Sequence, residues 1–99
     1  MIADFDWDDG NWPKCAKHGL TKEDIEAVFR SGPQVFGDPS VEEQRKRAIG
    51  VTSNGRHAFV VFTLRQRHDK VYIRPISARF MHQEEIEFYE SQIGTEKNS

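Results

Sequence analysis

The sequence is short of the features that anchor many small proteins. It has one cysteine, Cys15, so an internal disulfide cannot form and a Cys-based zinc site has no second ligand. No apolar run approaches the roughly 18 to 20 residues that span a bilayer, and the opening M-I-A-D-F-D-W-D-D is acidic where a signal peptide would be basic and then apolar. A cytoplasmic protein with no membrane partner is expected. Four histidines, His18, His57, His68 and His82, show no ligand spacing such as H-x-x-x-H, so no metal and no cofactor is expected either.

What the chain does have is charge, unevenly spread. Its 99 residues are 36% hydrophobic and 30% charged, enough for one compact domain with a modest core and too few for two. The formal net charge is only −2. Residues 45–79, however, hold nine Lys and Arg against the single acid Asp69, a balance of +8, while the remainder holds five bases against fifteen acids. Such asymmetry points to a polyanionic ligand for the basic part, or else to a solvated strand surface with the acids across from it in space.

Local patterns suggest the elements. D-F-D-W at 4–7 reads as a strand with Phe5 and Trp7 on one face, and Trp12 to His18 as a short helix capped by Asn11, with Pro13 in its first turn and Gly19 at its end. Thr21 and Asp24 form a capping-box pattern for a second helix whose apolar stripe is Ile25, Val28 and Phe29. A short strand, Q-V-F, and a polar loop follow over residues 34–44. Asn54-Gly55 predicts a two-residue type I′ turn, pairing Thr52 with His57, Arg47 with Phe62 and Lys46 with Thr63. That register puts Arg45 and Arg47 on one face with Leu64, and Arg65 on the other. Residues 58–64 are apolar on both faces, as a central strand would be. In V-Y-I-R-P-I-S-A-R-F, Pro75 requires an edge or a bulge, so Arg74 and Arg79 are expected at a frayed rim of the sheet. Residues 81–93 read as an amphipathic helix, 94–99 as a loose tail outside a core of about 4–90. The whole is read as α+β, a twisted antiparallel sheet packed by two N-terminal helices and a C-terminal one.

Four ordered blocks, F-D-W-D, K-H-G at 17–19, E-x-R with A-I-G-x-T and N-G-R at 43–56, and F-T-L-R with I-R-P-I-S-A-R at 62–79, resemble the BrnT-type toxins of bacterial type II toxin–antitoxin pairs, small relatives of the RelE ribonuclease fold. M-H-x-x-E-I-x-x-Y-E at 81–90 fits as well. The resemblance implies a metal-independent endoribonuclease held inactive by a cognate antitoxin, with DNA reached only through that partner and the homo- or hetero-oligomeric state left open. Carried over by position, the candidate catalytic residues are Lys17, His18, Arg45, Arg65, Arg74 and Arg79. His82 joins them because it follows the arginine-rich strand closely. Lys46, Arg47, Ser77 and Tyr89 are the candidate RNA contacts. Phe80 and Glu84 depart from the family pattern, and each removes positive charge from the expected groove. They favour the alternative, a catalytically inert RelE-like module that acts with its antitoxin as a DNA-bound co-repressor.

The chemistry suits these residue types. Cleavage through the RNA 2′-hydroxyl needs a base, an acid for the departing 5′-oxygen and cations for the crowded phosphate. Arginine pairs bidentately with phosphate and stays charged, and histidine, with a pKa of ~6.5, serves as acid or base. Each assignment has a plainer counterpart: Arg45 bridging Glu42 or Glu43, Lys17 and His18 complementing a helix dipole, Tyr89 and the two tryptophans packing in the core.

Overall fold

The structure, a computed structural model, describes residues 2–37 and 45–98, with side chains over 4–37 and 45–92. Five strands form one sheet in the order β1-β5-β4-β3-β2: β1 Ile2–Phe5, β2 Gln34–Gly37, β3 Lys46–Val51, β4 His57–Arg67 and β5 Lys70–Phe80. β2 through β5 pair as antiparallel neighbours, but β1 runs parallel to β5, so the sheet is mixed rather than wholly antiparallel. After β1 the chain passes through α1, Trp12–Cys15, a 3₁₀ turn, Ala16–His18, and α2, Lys22–Arg30, before entering β2 at the opposite edge. β1 and β5 are therefore joined by no local hairpin, and the sense of their pairing leaves no trace in the sequence pattern.

The helices form where the local chemistry asks for them. Thr21 Oγ1 accepts from the Asp24 backbone N–H and Asp24 Oδ2 accepts from the Thr21 N–H, both at 3.0 Å, closing the expected capping box. Ile25 and Val28 of α2 are fully buried against Ala48, Ala58, Val60 and Phe62 of the sheet. Asn11 does not cap α1. It is buried, and its Nδ2 donates to the carbonyls of Asp6 and Pro75 at 2.8 Å each, tying the start of α1 to β5.

Pro75 lies on an interior strand, not an edge, and the ladder accommodates it by a bulge: Val61 pairs with Ser77 and Phe62 with Pro75, leaving Ile76 between them. Nor is the strand end frayed. Arg79 pairs with Phe59 and Phe80 with Ala58.

The expected two-residue turn at Asn54-Gly55 does not form. Gly55 has φ +79° while Asn54 does not enter positive φ, Gly55 N–H donates to the Thr52 carbonyl and Thr52 N–H to the Arg56 carbonyl, both at 2.9 Å. This is a longer loop closed by a left-handed glycine. The two-residue turn with positive φ at both positions is His68-Asp69, at 49° and 69°. The longer β3–β4 loop moves the register by one residue, so that Val51 pairs with His57, Arg47 with Val61 and Lys46 with Phe62. A one-residue slip turns every side chain over. Arg47 consequently shares the face of Val61 and Phe59, while Lys46 shares the helix-covered face of Ala48, Val60 and Phe62.

α3 covers Gln83–Asn98, so residues 94–98 continue the helix expected to end near Ile93. The loop at residues 38–44 lies outside the described residues. Among the described residues no helix is long and apolar enough to cross a membrane.

Candidate functional site

α1, the 3₁₀ turn and α2 cover one face of the sheet, and the other face carries a row of cationic and aromatic side chains. Register places Arg47, Val61 and Ser77 side by side, with Ile49, Phe59 and Arg79 in the next row and His57 in the one after. The Phe59 ring sits beneath two guanidinium groups, with Arg79 Cζ 5.0 Å and Arg47 Cζ 5.8 Å from its centroid. An aromatic face favours cations in this arrangement.

Arg79 is held in place from α3. Its Nη1 and Nη2 donate to the two carboxylate oxygens of Glu85, each at 2.7 Å, and Glu85 Oε1 also accepts from the His82 backbone N–H at 2.9 Å. The Arg79 bonds, with help from the His82 amide, hold the Glu85 carboxyl down at about 2, and the same pair raises Arg79 further. Arg47 has no ion pair among the described residues, and its buried Nε has no hydrogen-bond partner. His57 packs edge-on to Tyr89 with ring centroids 6.1 Å apart, and its carbonyl accepts from the Met81 N–H at 3.0 Å. Between this face and α3 runs a groove of about 600 Å³, walled by Glu84, Phe88 and Tyr89 on one side and by Phe36, Arg47 and Phe59 on the other.

Arg65, Arg67 and Arg74 lie toward the far end of the sheet. Arg65 pairs with Tyr72, three side-chain rows from Phe59 and Arg79, a separation of roughly 20 Å along a strand. One phosphate cannot be held by both Arg65 and Arg79. Arg74, opposite Thr63, is largely buried and spends its donors on acids: Nη1 on Asp6 Oδ2 at 3.2 Å and Asp8 Oδ2 at 3.0 Å, Nη2 on Asp8 Oδ1 at 3.0 Å. The Arg74 bonds, above all other causes, lower the Asp8 carboxyl to about 2. Arg67 adds a 3.3 Å contact to Asp6. The cluster fastens the segment after β1 to β5.

Lys17 and His18 end the 3₁₀ turn, exposed and without hydrogen bonds or ion pairs among the described residues, on the element that packs against β5 beside buried Cys15 and Leu20. Burial pushes the Cys15 thiol up to about 11. Arg45, just before β3, is exposed and forms no ion pair among the described residues, Glu42 and Glu43 lying outside them. Phe80, at a position where the family pattern has Lys or Tyr, packs against the core beneath the Arg56 guanidinium, 3.6 Å from its ring centroid. Its register partner is buried Ala58, on the face opposite Arg79. Among the described residues no three His, Cys, Asp or Glu side chains converge as metal ligands would.

The chain matches, over residues 7–85, the family model described as "Ribonuclease toxin, BrnT, of type II toxin-antitoxin system". It belongs to the BrnT toxin family. No curated relative matches it at a significant level.

Of the BrnT-motif residues, the structure gathers Arg79 and Ser77 with Arg47 on the open face near Tyr89 and the start of α3, where His82 sits. It sets Arg65 and Arg74 apart at the other end, and leaves Lys17, His18 and Lys46 with the helix-covered side. Sequence reasoning did not find Phe59, Glu85 or His57 as parts of this cluster. Phe59 is one of a run of apolar residues and looks like core, and the partner of Arg79 lies six residues on, across a turn whose geometry was not legible. An acid following closely after an arginine-rich strand was the available signal for Glu85.

Proposed function

We propose that this BrnT-family chain is a metal-independent endoribonuclease toxin whose working face is the sheet face opposite α1 and α2. Arg79, backed by Ser77, neutralises the phosphate under attack, and Arg47 holds the RNA beside it. The RNA 2′-hydroxyl attacks the adjacent phosphate, its proton passing to an imidazole while a second donor protonates the departing 5′-oxygen. His57 and His82 are the imidazoles at this end of the sheet, and the Tyr89 hydroxyl is the nearby donor. Arg65 and Arg45 extend the cationic track along the strand. The observation that carries the reading is the pair of guanidinium groups over Phe59, on a face the core does not need.

Glu85 occupies the bidentate position a phosphate would take on Arg79, so RNA must exchange with it. We read the α+β fold as RelE-like, the protein as cytoplasmic, and the cognate antitoxin as the partner that covers this face, with DNA contacted only through it. Occupation of Arg79 by Glu85 also favours a second reading, an inert module that binds DNA with its antitoxin.

Cleavage of purified total RNA in EDTA by wild type and by Arg79→Ala tests the first reading. A fall of at least about tenfold, ~1.4 kcal/mol of transition-state stabilisation, is expected. RNA left intact by wild type, both alone and with ribosomes, would overturn it, and protection of the operon's own upstream DNA by the complex would then support the second.

A further inference from the structure

The groove beside Arg79 has a lining that the phosphate chemistry does not use. Its roughly 600 Å³ lies within the usual size of a small-ligand site. Phe88 on α3 and Phe36 on β2 present rings to it while 68% and 46% exposed, an arrangement unfavourable in water unless a flat apolar partner covers them. Two polar groups in the same groove lack a protein partner among the described residues. The buried Nε of Arg47 has no acceptor, and the Glu84 carboxylate makes no hydrogen bond or ion pair among the described residues. An apolar peptide side chain would cover the rings and bury the Glu84 carboxylate without a donor, at the usual cost of an orphaned charge.

We propose that this groove binds one unpaired RNA base, a guanine. Unstacked bases are read in single-stranded RNA by aromatic stacking and by hydrogen bonds along their edges. Guanine alone offers two adjacent donors, N1–H and the 2-amino group, which match the two oxygens of Glu84. Adenine and cytosine place a donor beside an acceptor, and uracil a donor between two acceptors, so each sets an acceptor against the carboxylate. On the neighbouring edge, guanine O6 and N7 are the acceptors an arginine fork reads best, and Arg47 supplies that fork. Phe88 supplies the stacking surface. With the base seated here, its flanking phosphate runs toward Arg79, one row along the sheet from Arg47. The Glu84 departure from the family pattern becomes a specificity element.

The inference rests on the ribonuclease reading for RNA as the ligand, and its test does not depend on cleavage. Fluorescein-labelled 2′-O-methyl trinucleotides UGU, UAU, UCU and UUU cannot be cut, and their binding is read by anisotropy. UGU is expected to bind wild type at least about tenfold tighter than the other three, the discrimination of one good bidentate base contact. Glu84→Gln, which turns a donor toward a donor and leaves only the Arg47 contact, should cut the preference for UGU by about fivefold or more, and Phe88→Ala should weaken all four by about tenfold through lost stacking. Both side chains are exposed, so equal thermal midpoints are expected of the variants.

Equal binding of all four oligonucleotides by wild type overturns the proposal, whether or not RNA is cleaved. Guanine preference in a protein that cuts no RNA would support the pocket and remove the ribonuclease reading instead. If Phe36→Ala and Phe88→Ala weaken only the complex with the antitoxin and leave every oligonucleotide unchanged, the groove is a protein-docking surface and the base pocket is wrong.

Discussion

The two faces of this sheet are built from alternate residues of the same strands and obey different rules. Toward the helices stand Ala48, Gly50, Ala58, Val60 and Ala78, and toward the open side, one residue along, stand Arg47, Ile49, Phe59 and Arg79. Size limits the covered face. A Cβ on Gly50 would lie 2.6 Å from Ser31 Oγ and 2.9 Å from the Val28 carbonyl oxygen, so α2 approaches β3 as closely as it does only because no side chain intervenes. The open face makes no such demand, and large cationic and aromatic groups collect there. A strand such as V-Y-I-R-P-I-S-A-R-F therefore carries core and cationic surface in adjacent positions, Ala78 for one and Arg79 for the other.

The largest expected effect breaks the covered face. Ile25→Ala removes a fully buried side chain from the α2 stripe and should cost about 2–5 kcal/mol, measured by denaturant unfolding. Arg79→Ala, by contrast, removes a partly exposed ion pair worth at most about 1 kcal/mol to stability, and under the proposed mechanism it should abolish most RNA cleavage. If the two substitutions cost similar stability, the division of labour between the faces is wrong.

The open face itself divides, and Arg74 against Arg79 sharpens the comparison. Both make bidentate bonds to a carboxylate, but Arg74 is 14% exposed and also serves Asp6, itself 9% exposed, whereas Arg79 and Glu85 stand 35% and 37% exposed. Arg74→Ala leaves Asp6 without its best-buried partner and frees the segment after β1. It should lower stability by about 2–3 kcal/mol while leaving the specific activity of the folded fraction within about twofold. Unfolding curves and cleavage by soluble protein separate the two. A variant that unfolds no more easily and cuts no RNA would return Arg74 to the catalytic group.

The sequence made legible whatever depends on neighbours within one turn or one helix. The Thr21–Asp24 box, the Ile25 and Val28 stripe and the central β4 all follow from local spacing. The face of Arg47 does not, because it depends on one residue in the β3–β4 loop, and Asn54-Gly55 suits both the two-residue turn and the longer loop with only glycine left-handed. Ordered motif blocks located the arginine-rich strands, yet kept Arg65 and Arg74 among the catalytic candidates with Arg79. Their partners decide among them. Asp6 and Asp8 lie more than sixty residues from Arg74 in sequence, and no spacing rule reaches that far.

The smallest expected effect concerns how firmly Glu85 holds Arg79. Its carboxyl sits at about 2 against an ordinary 4.5, lowered chiefly by the Arg79 bonds. A depressed carboxylate stabilises the fold fully above its unfolded value and loses that contribution as pH falls through the folded one. Wild type should therefore be slightly more stable than Glu85→Gln near neutrality, and the difference in melting temperature should close between about pH 4.5 and pH 2. Asp8 is lowered to the same range by Arg74, but it titrates in both proteins and cancels from the difference. A gap that persists to the lowest pH would mean that Glu85 acts through packing at the α3 start rather than through its charge. A pair this exposed contributes too little to the fold to resist a competing phosphodiester. The weakness required for RNA to displace Glu85 from Arg79 is the same weakness that makes the melting difference small.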